Sequence, residues 1–303
     1  ASADGGIFSY GSAPFHGSAA GARLNDPIVD VVGTPSGNGY WMVASDGGVF
    51  AFGDARFHGS TGGHRINRDI VALAPTPSGN GYLLVGEDGG VFAFGDARFH
   101  GSLGSATLKA PIVAARVTGD GGGYWLVAAD GGMFAFGNAP FHGSLGNQAL
   151  QAPIVGLATT DSGDGYWMAA ADGGIFAFGN APFRGSLGSD RPEAPVVDIA
   201  AAPGRSGYWL ATGRRRVDLG LFSATCYALR GTTASGRPAG PDVIAVDRRV
   251  IPLGARVFVE GVGERIAADT GGAIVGRRID VWKSSSAECS RFGRRTLRVW
   301  RID

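Results

Sequence analysis

Three aspartates, Asp247, Asp269 and Asp280, are the residues of this chain best suited to chemistry. They fall in a short carboxyl-terminal stretch that runs VIAVD, then AADTGG, then RRIDVW. Two of them stand in apolar runs typical of strands, and Asp269 opens a glycine turn. Because an ionised carboxylate in apolar surroundings is unfavourable, its presence there indicates a use. We therefore predict that this stretch holds the catalytic residues.

Asp280 has the neighbours that a general acid needs. It lies between Ile279 and Val281 and is followed by Trp282, so burial should raise the pKa of its carboxyl. A nearby carboxylate from another of the three acids would raise that pKa further by like-charge repulsion. A carboxyl that stays protonated near neutral pH can give a proton to the leaving group of a bond that is being broken. Asp280 is thus the predicted acid catalyst.

The other two acids also fit structural roles. Asp269, placed before Thr-Gly-Gly, is a good turn residue that can accept hydrogen bonds from the amides of its own turn, and Asp247 could cap the DRRVIPLG turn. A glycine-rich turn would also let a ligand approach the backbone closely. The residues predicted to contact substrate beside the acids are Thr232, Thr233, Gly271 and Gly272.

The elements that carry these acids belong to a chain of 303 residues with 53 glycines and 17% charged residues. This length exceeds one small domain, and so much glycine favours an all-β, turn-dense protein. No apolar run approaches the roughly 20 residues of a membrane span. The first residues, ASADGG, are similar to what signal peptidase leaves at its cut, so we expect a secreted, extracellular protein.

Cysteine usage bears on the same question. Cys226 and Cys289 are the two cysteines of the chain, and both lie in its carboxyl-terminal part. Paired as a disulfide they would fit an exported protein, whereas two buried thiols would carry no information on the compartment. We favour the pairing.

The formal net charge of +1 conceals a division of charge along the chain. Residues 1–213 hold 10 basic and 17 acidic residues, whereas residues 214–303 hold 17 and 9. A basic domain suits an anionic wall polymer such as peptidoglycan with its teichoic acids. Nucleic acid is disfavoured because the arginines are not interleaved with stacking aromatic residues, and a charge cluster is most often a solvated face.

The amino-terminal part is a repeat with a period of 42 residues. DGG begins at Asp4, Asp46, Asp88, Asp130 and Asp172, and a Gly-Tyr pair recurs at the same period. A constant period near 40 with short alternating segments predicts a β-propeller, each repeat forming a four-stranded blade. The four strands of one blade are PIVGLATT, GYWMAAA, GIFAFG and FRGS. The repeat resembles five-bladed, lectin-like propellers and the DGGVFAFG repeats of exported actinobacterial proteins.

The phase of the repeat predicts how the propeller closes. The chain starts at the third strand of a blade, and the last copy stops after its second strand, GYWLATG, where Arg214, Arg215 and Arg216 replace DGG. Joined in one composite blade, the two halves make five blades and remove the open sheet edges.

Histidine recurs in the FHGS segment of four copies, and the fifth copy has Arg184 there. Because arginine is not a metal ligand, we interpret these histidines as blade residues and predict no metal site. Aromatic grooves between blades could bind sugar at several weak sites, although such aromatics more often pack between blades.

After Arg216 the repeat ends, and residues 221–303 indicate about six short strands and one short helix, SSSAECSRFG. This pattern predicts a small closed barrel after a linker at 214–220. The segments ATCYALRGTTASG, VIAVDRRVIPLGARVFVEGVG, AADTGGAIVGRRIDVW and FGRRTLRVWRI resemble, in order and spacing, the 3D domain. That domain is a double-psi β-barrel named for three aspartates. It occurs in stationary-phase survival proteins, beside resuscitation-promoting factor domains, and in the membrane-bound lytic transglycosylase A family.

The resemblance implies cleavage of the β-1,4 bond between N-acetylmuramic acid and N-acetylglucosamine in peptidoglycan, leaving a 1,6-anhydro end. It places the three family aspartates on Asp247, Asp269 and Asp280, with the acid catalyst on Asp280. Such a reaction needs no cofactor and no second catalytic carboxylate, since the sugar's own 6-hydroxyl attacks.

Two positions differ from the residues that are usual in this family. Val275 stands where lysine is common, and Lys283 stands where an apolar residue is usual. Lost substrate contacts would leave a non-catalytic, expansin-like protein that binds or loosens the wall, and this is the alternative function. In both cases the propeller is expected to position the barrel by binding a wall polysaccharide or another wall hydrolase.

Overall fold

The computed structural model describes residues 3–302 except 8, 10, 11, 189–191, 193, 203, 205, 206, 214, 215 and 230. The chain divides into two compact units, Ala1–Gly213 and Arg214–Asp303. Among the described residues, no helix is both long and apolar enough to cross a membrane.

The amino-terminal unit consists of small antiparallel sheets that repeat along the chain. Four of the described sheets have three strands and one has two. The strands are β1 Ile28–Gly33, β2 Gly39–Ala44, β3 Val49–Gly53, β4 Ile70–Pro75, β5 Gly81–Gly86, β6 Val91–Gly95, β7 Ile112–Val117, β8 Gly123–Ala128, β9 Met133–Gly137, β10 Ile154–Thr159, β11 Gly165–Ala170, β12 Ile175–Gly179, β13 Val196–Ala201 and β14 Tyr208–Thr212. The predicted all-β class and propeller-type repeat are confirmed.

The middle strand of each blade carries most of the blade's core. Every residue of β5, β8 and β11 is buried, because a partner strand lies on either side and neighbouring blades cover both faces. The predicted packing of tryptophan between blades is visible at Trp41, whose ring meets that of Tyr82 with 5.9 Å between centroids. The indole of Trp41 also donates a 2.8 Å hydrogen bond to the Arg56 carbonyl, as a buried indole N–H should.

Four of the blades have three ladder strands, not the predicted four, because the FHGS segment does not join a ladder among the described residues. Its hydrogen bonds go instead to a side chain of the next blade. The backbone N–H of His58 donates to the Tyr82 hydroxyl at 3.1 Å, and that hydroxyl donates to the Gly59 carbonyl at 2.6 Å. Gly59 has φ +133°, and a Cβ there would lie 2.4 Å from the Phe94 ring. The segment is therefore a glycine-dependent link between consecutive blades.

The histidines of the FHGS segments pack on the tyrosines that bind the same segments. The ring centroids of His16, His58, His100 and His142 lie 5.6–6.0 Å from those of Tyr40, Tyr82, Tyr124 and Tyr166. In the part of the chain that the structure describes, no group of three histidine, cysteine or acidic residues could hold a metal ion.

The fifth sheet of the described residues contains two strands, β13 and β14. Trp209 on β14 is 59% exposed, whereas its counterparts in other blades are buried. Residues 8, 10 and 11, on which the expected third strand falls, lie outside the described residues, as do Arg214 and Arg215. The composite closing blade stays a prediction.

The carboxyl-terminal unit is a closed six-stranded barrel, as predicted. Its elements are β15 Arg216–Tyr227, β16 Val243–Val246, β17 Arg256–Val259, β18 Gly263–Asp269, β19 Arg278–Trp282, α1 Ser286–Phe292 and β20 Arg295–Ile302. Around the barrel the order is β15, β19, β16, β18, β17, β20, and the pairs β15–β19 and β16–β18 are parallel. The linker predicted at 214–220 is mostly strand, because β15 begins at Arg216 and pairs with β20 from that residue to Ala224.

The helix α1 is held by its own cap and by a disulfide. The Ser285 hydroxyl caps the helix by accepting a hydrogen bond from the Glu288 N–H, and the Glu288 carboxylate accepts one from the N–H of Ser284, the residue before the cap. Cys289 on the helix is bonded to Cys226 on β15, with 5.4 Å between the α-carbons. The disulfide joins the helix to the strand that also enters the site described next.

Candidate functional site

Four residues on four neighbouring barrel strands form one row. In the strand register, Thr225 of β15 lies opposite Asp280 of β19, Asp280 lies opposite Ala245 of β16, and Ala245 lies opposite Asp269 of β18. Residues directly opposite each other share a face of a sheet. The row therefore brings two of the three predicted acids, Asp280 and Asp269, to one face of the barrel.

The row lies on the outer face because its neighbours fill the core. Ile279 and Val281 flank Asp280, and both are buried in the barrel's hydrophobic cluster. Ile244 and Val246, on either side of Ala245, belong to the same cluster. Since side chains alternate along a strand, Asp280 and Ala245 point away from the core.

A β-bulge brings Asp269 into the row. Ile244 pairs with Ala267, which is a core residue, but the next residue, Ala245, pairs with Asp269. The register shift leaves Ala268 as an extra residue. Strict alternation from Ala267 would have turned Asp269 toward the core, and the bulge returns it to the outer face.

Asp280 is half-buried and has one described hydrogen-bond partner. The Thr225 hydroxyl donates to its Oδ1 at 2.8 Å. Burial raises the pKa of the Asp280 carboxyl, and the hydrogen bond from Thr225 opposes that shift. A carboxyl with a raised pKa, turned outward from a rigid sheet, can deliver a proton to a ligand on that face.

Asp269 anchors the loop beside the row. Its Oδ1 accepts hydrogen bonds from the Ala234 N–H at 3.0 Å and from the N–H of the next residue, Thr270, at 2.9 Å. The Ser235 N–H adds a bond to the Ala268 carbonyl at 2.9 Å. These contacts tie the TTASGRPAG loop to the end of β18, so Asp269 positions a wall of the site.

The predicted substrate-contacting residues are placed differently from one another. Thr233 is buried, and its hydroxyl donates to the Arg237 carbonyl at 2.9 Å, so it holds the loop together. Thr232 is exposed and forms an isolated bridge with Pro238. Gly271 and Gly272 are exposed, and a Cβ on Gly272 would meet no atom within 4 Å.

Asp247 lies outside the row, at the turn that follows β16. Its Oδ1 accepts hydrogen bonds from the Arg249 N–H and Nε, and its Oδ2 accepts from Arg249 Nη2 at 2.7 Å and from the Gly276 N–H at 2.8 Å. The bonds from the Arg249 side chain, followed by those from Gly276 and the Arg249 backbone, hold the pKa of this buried carboxyl well below its usual range. Asp247 therefore joins two turns at the end of the barrel.

We expect Asp247→Asn to destabilise the barrel at neutral pH. A depressed pKa in the folded state stabilises the protein above the unfolded-state pKa of about 4, and this stabilisation is lost as the pH falls through the folded-state value. The difference in denaturation midpoint between wild type and Asp247→Asn should therefore shrink toward low pH. Asp280→Asn is the matched control: its carboxyl has a raised pKa, so its neutralisation should not lower stability at neutral pH. If the difference in denaturation midpoint between wild type and Asp247→Asn did not change with pH, this account of the Asp247 pKa would be contradicted.

Thr225 is a site residue that the sequence analysis missed. It precedes Cys226, and the alternation Ala224, Thr225, Cys226 along a strand carries the signal, because a polar residue between two core-facing ones must point outward. Without the partner strand, however, nothing indicates that it meets Asp280.

The two positions that differ from the resembled family lie at the ends of the site's elements. Val275 is 60% exposed in the loop before β19. The Lys283 ammonium lies 5.3 Å from the centroid of the Phe292 ring on α1, a cation–π distance. Lys283 is thus engaged with the helix.

Comparison with known proteins places a family match on this unit. Residues 242–303 match the model of the 3D domain. Two curated relatives come from Bacillus subtilis (strain 168): the cell wall-binding protein YocH, 46% identical over 82 residues, and YabE, whose name refers to cell wall shaping, 44% identical over 82 residues. Each alignment covers 26% of this chain, with 29% of YocH and 20% of YabE. The chain thus spans less than a third of the length of either relative.

Among solved structures, the lytic transglycosylase MltA from Escherichia coli is 26% identical over 25% of this chain and 28% of that chain, with a TM-score of 0.23. The β-propeller domain of Cps50 (Swd1) from Myceliophteria thermophila covers 65% of each chain at 12% identity, with a TM-score of 0.42. The family match confirms the resemblance read from the motifs between VIAVD and FGRRTLRVWRI, so residues 242–303 of this chain are similar to the 3D domain.

Proposed function

We propose that the barrel cleaves the β-1,4 bond between N-acetylmuramic acid and N-acetylglucosamine in peptidoglycan as a lytic transglycosylase, within a secreted, wall-associated protein. The observation that carries the proposal is Asp280. It is an outward-facing, half-buried carboxyl whose pKa is raised by burial, and it lies between two core residues in the same row as Thr225 and Asp269. The wall as the target is supported by the names of the relatives YocH and YabE and by the basic charge of residues 214–303.

In the proposed reaction Asp280 acts first as acid and then as base. Its protonated carboxyl gives a proton to the glycosidic oxygen while the bond from that oxygen to C1 of the muramic acid breaks. The resulting carboxylate takes the proton of the 6-hydroxyl of the same sugar, whose oxygen bonds to C1. The products are a 1,6-anhydro end and a free hydroxyl on the leaving glycan, and Asp280 is again protonated.

The hydrogen bonds of Asp269 favour this route over a covalent intermediate. Ala245 separates Asp280 from Asp269 in the row, so the α-carbons of the two acids lie about 10 Å apart, two strand spacings. A retaining glycosidase needs a second carboxyl group that is free to attack, about 5 Å from the first carboxyl group. Asp269 is also held in place by the amides of Ala234 and Thr270. An attack by the sugar's own hydroxyl needs no second carboxylate at that distance.

The test is a digestion of purified peptidoglycan with the whole chain, followed by mass spectrometry of the released muropeptides. A transglycosylase releases fragments with anhydro ends, each lighter by one water than the product of hydrolysis. Fragments with reducing ends would instead show that the protein is a muramidase, which cleaves the same bond by hydrolysis. No soluble fragment at all would reject cleavage.

A second candidate function is wall binding without cleavage. Two observations favour it: the relative YocH is named for wall binding, and Val275 and Lys283 replace residues usual in the resembled family. In this case the protein would sediment with peptidoglycan and release nothing, and Asp280→Asn would sediment equally well.

In either function we propose that the propeller of residues 1–213 positions the barrel on the wall. Its partner is a wall polysaccharide or another wall hydrolase. A chain that starts after Gly213 would then lose retention on wall material while keeping the folded barrel.

The variant Thr225→Val tests whether the Thr225 hydroxyl controls the pKa of Asp280. The hydroxyl of Thr225 stabilises the charged form of the carboxyl and so lowers its pKa. Without it the pKa of Asp280 should rise, and a general acid with a higher pKa stays protonated to higher pH. We expect the alkaline limb of the pH profile of kcat/KM to move upward in Thr225→Val, while Thr225→Ser keeps the wild-type limb. An unmoved limb in Thr225→Val would show that another group controls it.

A further inference from the structure

Arg278 stands two residues before Asp280 on β19 and points to the same outer face of the barrel. Ile279 and Val281 are buried in the core, so the alternation of the strand turns both Arg278 and Asp280 outward. Two residues of strand put their α-carbons about 7 Å apart. On β15, Arg278 lies opposite Ser223, next to the pairing of Asp280 with its hydrogen-bond donor. The proposed acid therefore has a cation beside it on the same face.

The guanidinium of Arg278 is held by an uncharged group. Its Nη1 donates a 2.8 Å hydrogen bond to the carbonyl of Ala273, in the loop before β19. Among the described residues no carboxylate forms an ion pair with this guanidinium, and Asp247 is paired with Arg249 instead. The loop residues 270–276 contain no ionisable side chain. Because arginine has five N–H donors, one bond to a carbonyl leaves both charge and donors for a ligand.

The surroundings of this guanidinium are open to solvent. Gly271, Gly272 and Ala273 are exposed, and a Cβ on Gly272 would meet no atom within 4 Å. Arg278 is itself partly exposed, and its bond to the Ala273 carbonyl is an exposed one. A ligand that lies along the outer face of β19 can therefore contact Arg278 and Asp280 together.

The chemistry of arginine indicates which part of the wall it would contact. A planar guanidinium binds a carboxylate through paired, charge-assisted hydrogen bonds. The two sugars of peptidoglycan differ in this group. Muramic acid carries a lactyl substituent that ends in a carboxylate or continues into a peptide with carboxylates of its own, whereas N-acetylglucosamine carries none. A carboxylate-binding residue beside the acid catalyst can therefore distinguish the two sugars.

We propose that Arg278 determines the specificity of the barrel by binding a carboxylate on the lactyl substituent of muramic acid or on the peptide attached to it. This contact places C1 of the muramic acid, and not C1 of N-acetylglucosamine, at Asp280. It selects one of the two glycosidic bonds of the wall and rejects an uncharged polymer such as chitin. The inference rests on the proposed function, since it takes the outer face of β19 as the place where glycan lies.

The test variant is Arg278→Gln, made in the whole chain with Asp280→Asn so that binding is measured without cleavage. On purified peptidoglycan freed of teichoic acid, sedimentation should show about a ten-fold weaker Kd, the loss of a charge-assisted contact. On the same material with its carboxyl groups converted to amides, Arg278→Gln should bind as well as the parent chain. Glycan strands stripped of peptides by an amidase identify the carboxylate. A loss that persists on them assigns the lactyl group, and a loss confined to intact material assigns the peptide.

Arg256→Gln is the matched control. It removes the same charge from β17, which lies three strands from β19 in either direction around the barrel, where salt screens its effect on the site. We expect less than a two-fold change in Kd. Equal losses in the two variants would mean that net charge alone acts, and would overturn the inference.

Two other roles for Arg278 give different results. If it only held its loop, Arg278→Gln would lower the thermal midpoint and weaken binding to the amidated material as well. If it acted through Asp280, the variant would shift the alkaline limb of the pH profile of cleavage and leave the Kd unchanged. Either result would overturn the inference. The two proposals fail separately: a wild type that releases no anhydro fragments rejects cleavage, whereas an unchanged Kd in Arg278→Gln rejects only the role of Arg278.

Discussion

Asp280→Asn should release anhydro muropeptides from peptidoglycan about a thousand-fold more slowly than the wild type. General acid–base catalysis by one group contributes roughly 10²–10⁴ in rate, and here one carboxyl would serve both proton transfers. The amide keeps the size of the side chain and can still accept from the Thr225 hydroxyl, but it cannot give up a proton. The measurement is the initial rate of fragment release, quantified by mass spectrometry at equal protein concentration.

The comparison variant for this prediction is Asp269→Asn. Its carboxylate accepts from two backbone amides and lies two strands away from Asp280. We therefore expect a smaller loss of rate, caused by a looser loop, together with faster hydrogen exchange in residues 231–239. Equal losses in the two variants, with wild-type exchange in the loop, would indicate that both acids transfer protons. If Asp280→Asn were fully active, Asp280 would not be the catalytic residue, whichever product is released.

The main parts of the fold could be predicted because each rests on a local pattern. The 42-residue period requires a repeating blade, and the alternation around Asp280 turns that residue outward once Ile279 and Val281 enter the core. The number of strands in a blade was wrong for a physical reason. The FHGS segment has the length of a strand, but its N–H and carbonyl groups are satisfied by the Tyr82 hydroxyl and its equivalents. A side chain from the next blade cannot be read from the segment's own pattern.

The geometry of the site was less accessible from sequence. The bulge at Ala268 decides that Asp269 faces outward, and it depends on the pairing of β16 with β18, which are separated by the whole of β17. One of the four hydrogen bonds of Asp247 comes from Gly276, 29 residues away, and the other three come from Arg249. The three acids looked alike as a sequence pattern. Their partners distinguish them. Asp280 has one described hydrogen-bond donor, and Asp269 accepts from two backbone amides that hold a loop. Asp247 accepts from the Arg249 guanidinium and from two backbone amides that hold turns.

Removal of the Cys226–Cys289 disulfide should destabilise the barrel by roughly 4 kcal/mol. The two cysteines are 63 residues apart, and cross-linking a loop of that length removes about this much conformational free energy from the unfolded chain. For a unit of this size the loss corresponds to a fall in the midpoint of thermal unfolding of roughly 15 °C or more. The measurement is calorimetry of the double variant Cys226→Ala, Cys289→Ala, with hydrogen exchange to locate the unfolding segment.

The chain contains its own control for this prediction. Residues 1–213 contain no cysteine, so the propeller should unfold at the same temperature in the variant and in the wild type with or without a reductant. The reductant should reproduce the effect of the double variant on the barrel alone. Because Cys226 lies on the strand that carries Thr225 and Tyr227, reduction should also speed hydrogen exchange at the end of β15. A barrel equally stable in both redox states would mean that its apolar core, from Phe222 to Val299, holds the strand in place without the cross-link.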